Sequence, residues 1–355
     1  MPALFCRSLD LHESCNGGTK DGTWYTSGKG HIMSGLTEVQ RRQFSDDGYL
    51  VVENVVDPER DIAPVFTEFA AVLDGVAAQF VAEGRIAREY RELPFTDRVT
   101  QICAESGVVL SQYFDISLPQ NNVRPDTPIH ANPAMFRLLT NPRLLDVAQS
   151  IIGPEIWSSP VQHIRMKLPP HAVTDKSNGL IAKIPWHQDN GVVTEDADES
   201  EILTVWMPLN HATVENGCMQ VMGRSHRGEI EPHCPGAGGL HIPDRYLPAQ
   251  APIALPMAPG SVLLMTKRTM HSSLDNTTRN QVRISLDLRY QPIGQASGRS
   301  AMDRGGFVAR SLAHPETVLR EPEIWQRNWL ELRDALAAAE KVVYNRWNAD
   351  SPVCA

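Results

Sequence analysis

Apolar residues recur at three- and four-residue steps in the first half of this chain and in short alternating runs in the second, so two kinds of structure are expected. Ser34 to Phe44 carries Leu36, Val39 and Phe44 at helical spacing and predicts a short amphipathic helix. Gly48-Tyr49-Leu50-Val51-Val52 follows with strand-forming residues. From Pro58 to about Glu83, the positions Val65, Phe66, Phe69, Val72, Leu73, Val76 and Phe80 predict a longer helix. Two more helices, over 132–140 and 142–152, are divided by Asn141-Pro142 and closed by Gly153-Pro154. After Ser158 the pattern shifts to strand-like runs: Val161 to Leu168, Leu203 to Leu209, Gly217 to Met222, Ser261 to Thr266 and Val282 to Tyr290. Such spacing predicts a β-sandwich or barrel. Glu215-Asn216-Gly217 reads as a hairpin turn of type I′ geometry. The Pro-, Gly- and His-rich stretch from Arg227 to Pro259 reads as a lid over a site. Helical periodicity returns from Glu321 to Asn345 through Ile324, Trp325, Trp329, Leu332 and Leu336. The tryptophans Trp325, Trp329 and Trp347 are expected to pack a helix.

These elements predict one catalytic domain over 34–355. A helical N-terminal part (34–157) wraps a β-core (158–292), and a helical segment (293–355) follows. The first 33 residues, with Gly17-Gly18 and no sustained period, read as a flexible tail without the apolar core of a signal peptide.

Composition narrows the function. The chain has 355 residues, enough for a sizeable core, and 42% hydrophobic with 21% charged residues fits a soluble globular protein. A net charge of −9 and a pI near 5.7 argue against nucleic acid or an anionic membrane as partner, and offer no basic cradle for coenzyme A. A small-molecule substrate is the expectation. No apolar run approaches the roughly 18 residues of a membrane-spanning helix. Six cysteines are dispersed without a Cys-x-x-Cys pair, so neither a disulfide framework nor a zinc ribbon is expected, and a reducing cytoplasm is the predicted location.

The chemistry is concentrated in Ile184-Pro185-Trp186-His187-Gln188-Asp189. In a strand, residues two apart share a face, so His187 and Asp189 can reach one ion while Gln188 points away. His271, at the end of the run from Ser261, can supply a second imidazole. Two histidines and one carboxylate make the facial triad of non-haem Fe(II) oxygenases, which leaves three positions for a bidentate oxo-acid and O₂. Zinc could use the same ligands, but no His-Glu-x-x-His helix and no glutamate placed as a hydrolytic base accompany them. A dicarboxylate co-substrate calls for an arginine at its far end. In Arg283 to Tyr290 polar residues hold the odd positions, so Arg283 should face a polar interior. Arg279 lies in a turn and should be solvated. The plain alternative for Arg283 is a salt bridge with Asp287.

These residues resemble the phytanoyl-CoA dioxygenase-like family of Fe(II)/2-oxoglutarate-dependent oxygenases. The resemblance rests on Pro185-Trp186-His187-Gln188-Asp189, then Leu203 to Leu209, Glu215 to His226, His271-Ser272-Ser273 and Arg283 with Tyr290. The opening from Gly35 to Val52 is also similar. It implies a mainly β core with surrounding α-helices, a double-stranded β-helix (jelly-roll, cupin-like). Iron would be held by His187, Asp189 and His271. Arg283 and Ser273 would hold the far carboxylate of 2-oxoglutarate, with Trp206 and Gln188 nearby and Gln162 as a substrate contact. Ser272 departs from the glycine the family often carries, and Lys167 lies one step off the register expected of the family's lysine and is not assigned. The implied activity is hydroxylation of an unactivated C–H of a small organic molecule, with 2-oxoglutarate and O₂ consumed and succinate and CO₂ released. A carboxylate at 189 points to oxygen transfer rather than halogenation. Alternatives are the same iron chemistry used for desaturation or cyclisation, a zinc-dependent hydrolase or isomerase, or a non-catalytic metal-binding jelly-roll module. His226 is expected as a loop anchor.

Overall fold

The computed structural model describes residues 35–172, 183–236, 238–340, 342–348 and 350–354, so the expected tail over 1–33 lies outside the described residues. Helix α1 (Glu38–Asp47) starts with reciprocal capping. Thr37 Oγ1 accepts from the Gln40 amide at 3.3 Å, and the Thr37 amide donates to the Gln40 side chain at 2.9 Å. Gly48 ends the helix at φ 81°, where a Cβ would strike the His226 ring. Strand β1 (Tyr49–Val52) follows, then a π turn at Pro58–Ile62 and helix α2 (Ala63–Ala82). Helices α3 (Phe95–Ser106), α4 (Ser111–Phe114), α5 (Pro133–Leu139) and α6 (Pro142–Ile152) complete the N-terminal part.

The strands are β2 (Ile156–Ser158), β3 (His163–Lys167), β4 (Leu203–Pro208), β5 (Met219–Val221), β6 (Cys234–Gly236), β7 (Gly239–His241), β8 (Ile253–Leu255), β9 (Val262–Thr266), β10 (His271–Ser273), β11 (Arg283–Pro292) and β12 (Phe307–Arg310). Helix α7 (Pro322–Ala338) closes the sequence of elements, with Trp325 and Trp329 fully buried. All pairings are antiparallel. A seven-stranded sheet runs β1-β9-β4-β11-β2-β12, with β3 also paired to β11; a smaller sheet runs β10-β5-β8.

Alternation along the strands decides what each face touches. Ile164, Met166, Val205, Leu264, Ile284, Leu286 and Leu288 leave one face of the large sheet and join a core with helical residues such as Val65, Phe69, Leu73 and Phe136. Trp206, Leu263 and Met265 leave the other face and pack against Met219 and Val221 of the small sheet. Two sheets therefore face each other, and one is backed by helices.

The architecture is mixed α/β. The expectation of a mainly β core is corrected, because helices occupy more of the chain than strands and the described strands form separate sheets rather than a closed barrel. Against the expectation of no apolar run of that length, the helical stretch Pro58–Ala82 is long and apolar enough to cross a membrane by length and composition. Its residues Val65, Phe69, Leu73, Ala77 and Phe80 are buried in the core at three- and four-residue steps. The expected type I′ turn at Asn216-Gly217 is also corrected. Only Gly217 has positive φ, and the Asn216 side chain accepts from the Thr213 amide at 2.7 Å. Finally, Cys234 and Cys354 form a disulfide, although no disulfide framework is expected from the sequence. Its partners are 120 residues apart, a pairing that dispersed cysteines cannot announce.

Candidate metal centre

His187 and His271 meet through their backbones. Each amide donates to the other's carbonyl, at 3.1 and 3.0 Å, in a single antiparallel bridge that adds the 187 segment beside β10. The expected strand stops there: Asp189 opens a 3₁₀ turn, Asp189–Val192, instead of continuing it. The turn still carries the carboxylate to the histidines. One ligand atom from each of His187, Asp189 and His271 lies within 4.8 Å of the others, and all three residues are buried.

The ring tautomers follow from the neighbours. His187 Nδ1 faces the Pro185 carbonyl and His271 Nδ1 faces the Thr269 carbonyl, both at 2.9 Å. A carbonyl only accepts, so each Nδ1 is the donor and each Nε2 is the ring atom that would bind a metal. Burial, then the proximity of His271, holds the His187 pKa well below the ordinary histidine value. Asp189 is gripped on both oxygens, by Thr204 Oγ1 from β4 and Arg289 Nη2 from β11. Burial works against its charge, but Arg289 and then the two histidines hold the Asp189 pKa well below the carboxylate range. Two imidazole nitrogens and one carboxylate oxygen are the donor set that suits Fe(II).

Beside the triad lies a narrow cleft walled by Trp206, Met219, Met265, Arg283 and Asp287. Arg283 is fully buried; its Nε donates to the Gly217 carbonyl at 3.2 Å, its Nη1 donates to Ser285 Oγ, and its guanidinium sits 5.5 Å from the Trp206 ring centre. Burial, then the charge of Arg165, pushes the Arg283 pKa down to about 10. Lys167, off the register that the resemblance implies for the family's lysine, is directly opposite Arg283 in the β3–β11 register. Its Nζ donates to Ser273 Oγ at 2.6 Å and to the Leu274 carbonyl. Burial, then Arg283, pushes the Lys167 pKa down to about 6. The signal was available: His163, Arg165 and Lys167 are polar at odd positions, matching Arg283 to Arg289 on the partner strand.

Other predicted residues sit elsewhere. Gln188 does not line the cleft; its Nε2 donates to the Glu229 and Arg268 carbonyls, both at 3.0 Å, and its Oε1 accepts from the Glu231 amide at 2.9 Å. It fastens the start of the 227–259 loop, the expected lid. Gln162, just before β3, is buried with Nε2 reaching the Ile116 carbonyl at 3.5 Å, while Val161, His163 and Arg165 line a cavity. Arg279 is exposed, and His226 Nε2 meets the Ser45 carbonyl at 3.1 Å, away from the triad. Trp347 was expected to pack a helix. Instead its Nε1 donates to the Gly191 carbonyl just after Asp189, and its ring stacks on His233. Gly191 has room for no Cβ against that histidine.

The sequence profile of the phytanoyl-CoA dioxygenase (PhyH) family matches residues 44–285, more than half of the chain. The chain belongs to the phytanoyl-CoA dioxygenase family of Fe(II)/2-oxoglutarate oxygenases. Within that family it is 23% identical over 250 residues to the peroxisomal phytanoyl-CoA dioxygenase of Homo sapiens, covering 69% of this chain and 65% of that protein. The chain thus spans a little under two thirds of the length of that relative. Among solved structures it is similar to a non-haem monooxygenase, ThoJ in its apo form (TM-score 0.51, 17% identity, covering 83% of this chain and 96% of that one). It is also similar to SnoK, a non-haem α-ketoglutarate-dependent carbocyclase of nogalamycin biosynthesis (TM-score 0.45, 20% identity, covering 75% and 87%).

Proposed function

We propose that this protein oxidises a C–H bond of a small organic molecule while decarboxylating 2-oxoglutarate, with Fe(II) held by His187, Asp189 and His271. The observation that carries the reading is the convergence of those three side chains, with both Nδ1 atoms engaged by carbonyls so that both Nε2 atoms are free to bind. The two facing sheets we take as a double-stranded β-helix (jelly-roll), with residues 34–355 as one catalytic unit. Fe(II) in such a site supplies a point where O₂ and the keto-acid end of 2-oxoglutarate can meet. The chain's own residues do the rest. Arg289 and Thr204 fix the Asp189 carboxylate in one orientation. Arg283 and Lys167, with Ser273 bonded to Lys167 and Trp206 as a wall beside Arg283, receive the far carboxylate of 2-oxoglutarate. Burial of the triad keeps bulk water from the reacting atoms.

In the hydroxylation form, 2-oxoglutarate, O₂ and R–H become succinate, CO₂ and R–OH. Desaturation or ring closure draws on the same residues, and identification of the product separates them. The test is succinate formation from 2-oxoglutarate under air with Fe(II), compared with Zn(II) and with an anaerobic control. Succinate only with Fe(II) and O₂ supports the oxygenase; turnover of a substrate with Zn(II) and no O₂ would replace it with a hydrolase or isomerase.

A further inference from the structure

A cavity of about 410 Å³ opens toward solvent and shares Arg165, Ile184 and His187 with the narrow cleft that holds Arg283. Arg165 from β3, Arg289 from β11 and Arg299 from the loop after β11 reach its wall. Two of these guanidiniums face carboxylates: Arg289 donates to Asp189, and Arg165 lies 3.6 Å from Asp287. Arg299 is different. It is only 5% exposed, and its acceptors are neutral: the Val192 carbonyl at 3.1 Å and Gln120, whose amide oxygen, turned toward it, accepts from both terminal nitrogens at 3.0 Å. Its Nε has no partner, and among the described residues it forms no ion pair. Burial, then the Arg289 charge, pushes its pKa down to about 10, so it stays cationic at neutral pH.

A buried cation without a counter-charge is costly unless an anion is delivered to it. The carboxylate in the cavity wall is not available for that. Asp115 accepts from His163 Nδ1 at 2.9 Å and from the Ile116 and Ile164 amides at 2.8 Å each. The volume is at the lower end of the roughly 300–1,000 Å³ of small-molecule sites, room for a compact molecule rather than a bulky conjugate.

We propose that this cavity binds a small organic acid as the substrate, with Arg299 as the specificity-determining residue that takes its carboxylate or phosphonate group while the carbon chain lies beside His187. The inference deepens the reading of the site as a 2-oxoglutarate oxygenase and depends on it. The test keeps the two apart. Protein loaded with Fe(II) and 2-oxoglutarate under nitrogen is titrated by calorimetry with hexanoate, butylphosphonate and the neutral hexanamide. At least one acid binds in addition to 2-oxoglutarate, about tenfold or more tighter than the amide, and which acid binds tells carboxylate from phosphonate. Arg299→Gln removes the preference for acid over amide and leaves 2-oxoglutarate affinity unchanged; Arg299→Lys retains part of the preference. Failure of both acids to bind the wild-type protein, binding no tighter than the amide, or an unchanged preference in Arg299→Gln would each overturn the proposal. The wild-type comparison decides even where a variant does not fold. If 2-oxoglutarate itself does not bind, the oxygenase reading fails first.

Discussion

The two faces of β11 were built from one strand and do opposite work. Ile284, Leu286, Leu288 and Tyr290 leave it toward the helices, all fully buried, and Tyr290 gives its hydroxyl to the Leu139 carbonyl at 2.6 Å. Arg283, Ser285, Asp287 and Arg289 leave it on the opposite face, also buried but polar or charged. The first face gains free energy by burial; the second spends some of it to hold guanidiniums and a carboxylate in fixed positions near the candidate metal ligands. Stability and chemistry are thus separated by a period of two residues, and substitutions one position apart should fail in different ways.

The largest effect is expected at the centre of the polar side. His187→Ala or Asp189→Ala should abolish Fe(II) retention and succinate formation while the fold survives, as read by metal analysis and circular dichroism. Opposite in kind, Leu286→Ala on the helix-facing side should cost about 2–5 kcal/mol of stability, visible as a lower melting temperature, with turnover per folded molecule preserved. A Leu286→Ala protein of normal stability and lost activity would erase the distinction between the faces. Arg283→Gln should raise the 2-oxoglutarate concentration needed for half-maximal succinate formation by about tenfold or more, with no comparable loss of stability. Should Arg279→Gln do this instead, the inward placement of odd residues would not govern co-substrate binding.

The smallest expected effect concerns protons. The Lys167 pKa is about 6 in the folded protein against an ordinary 10.5. Between those values the unfolded chain binds the proton and the native state does not, so this residue makes stability rise with pH from about 6 toward 10. A carboxylate arriving beside Lys167 favours its charged form. Binding of 2-oxoglutarate at pH 8 should therefore take up as much as about one proton, measured by calorimetry in buffers of different ionisation enthalpy. Lys167→Met should abolish both the uptake and the stability slope.

Much of this was legible in the chain because alternation and ligand type are local signals. The ordered blocks from His187 to Arg283 identified the family, and the polar odd positions of β11 oriented its arginines. What was hidden depended on distant partners. Helix α3 is not legible in the sequence because its buried side mixes Arg98 and Thr100 with Val99, Ile102 and Cys103, leaving no clean apolar stripe. Gln188 sits within the metal motif, yet three partners near 230 and 268 turn it into a loop fastener. Arg299 follows the last recognisable strand, and only the fold brings it to the same cavity as Arg165. Lys167 was legible in principle, since the alternation applied to β11 also holds along β3.

The most direct test of the shared metal site is spectroscopic. Under nitrogen, Fe(II) and then 2-oxoglutarate are added to the purified protein while the visible spectrum is recorded. Chelation at His187, Asp189 and His271 predicts a weak charge-transfer band that needs both additions and is missing from Asp189→Ala. A folded wild-type protein that shows no such band, or one that persists in Asp189→Ala, would contradict the account.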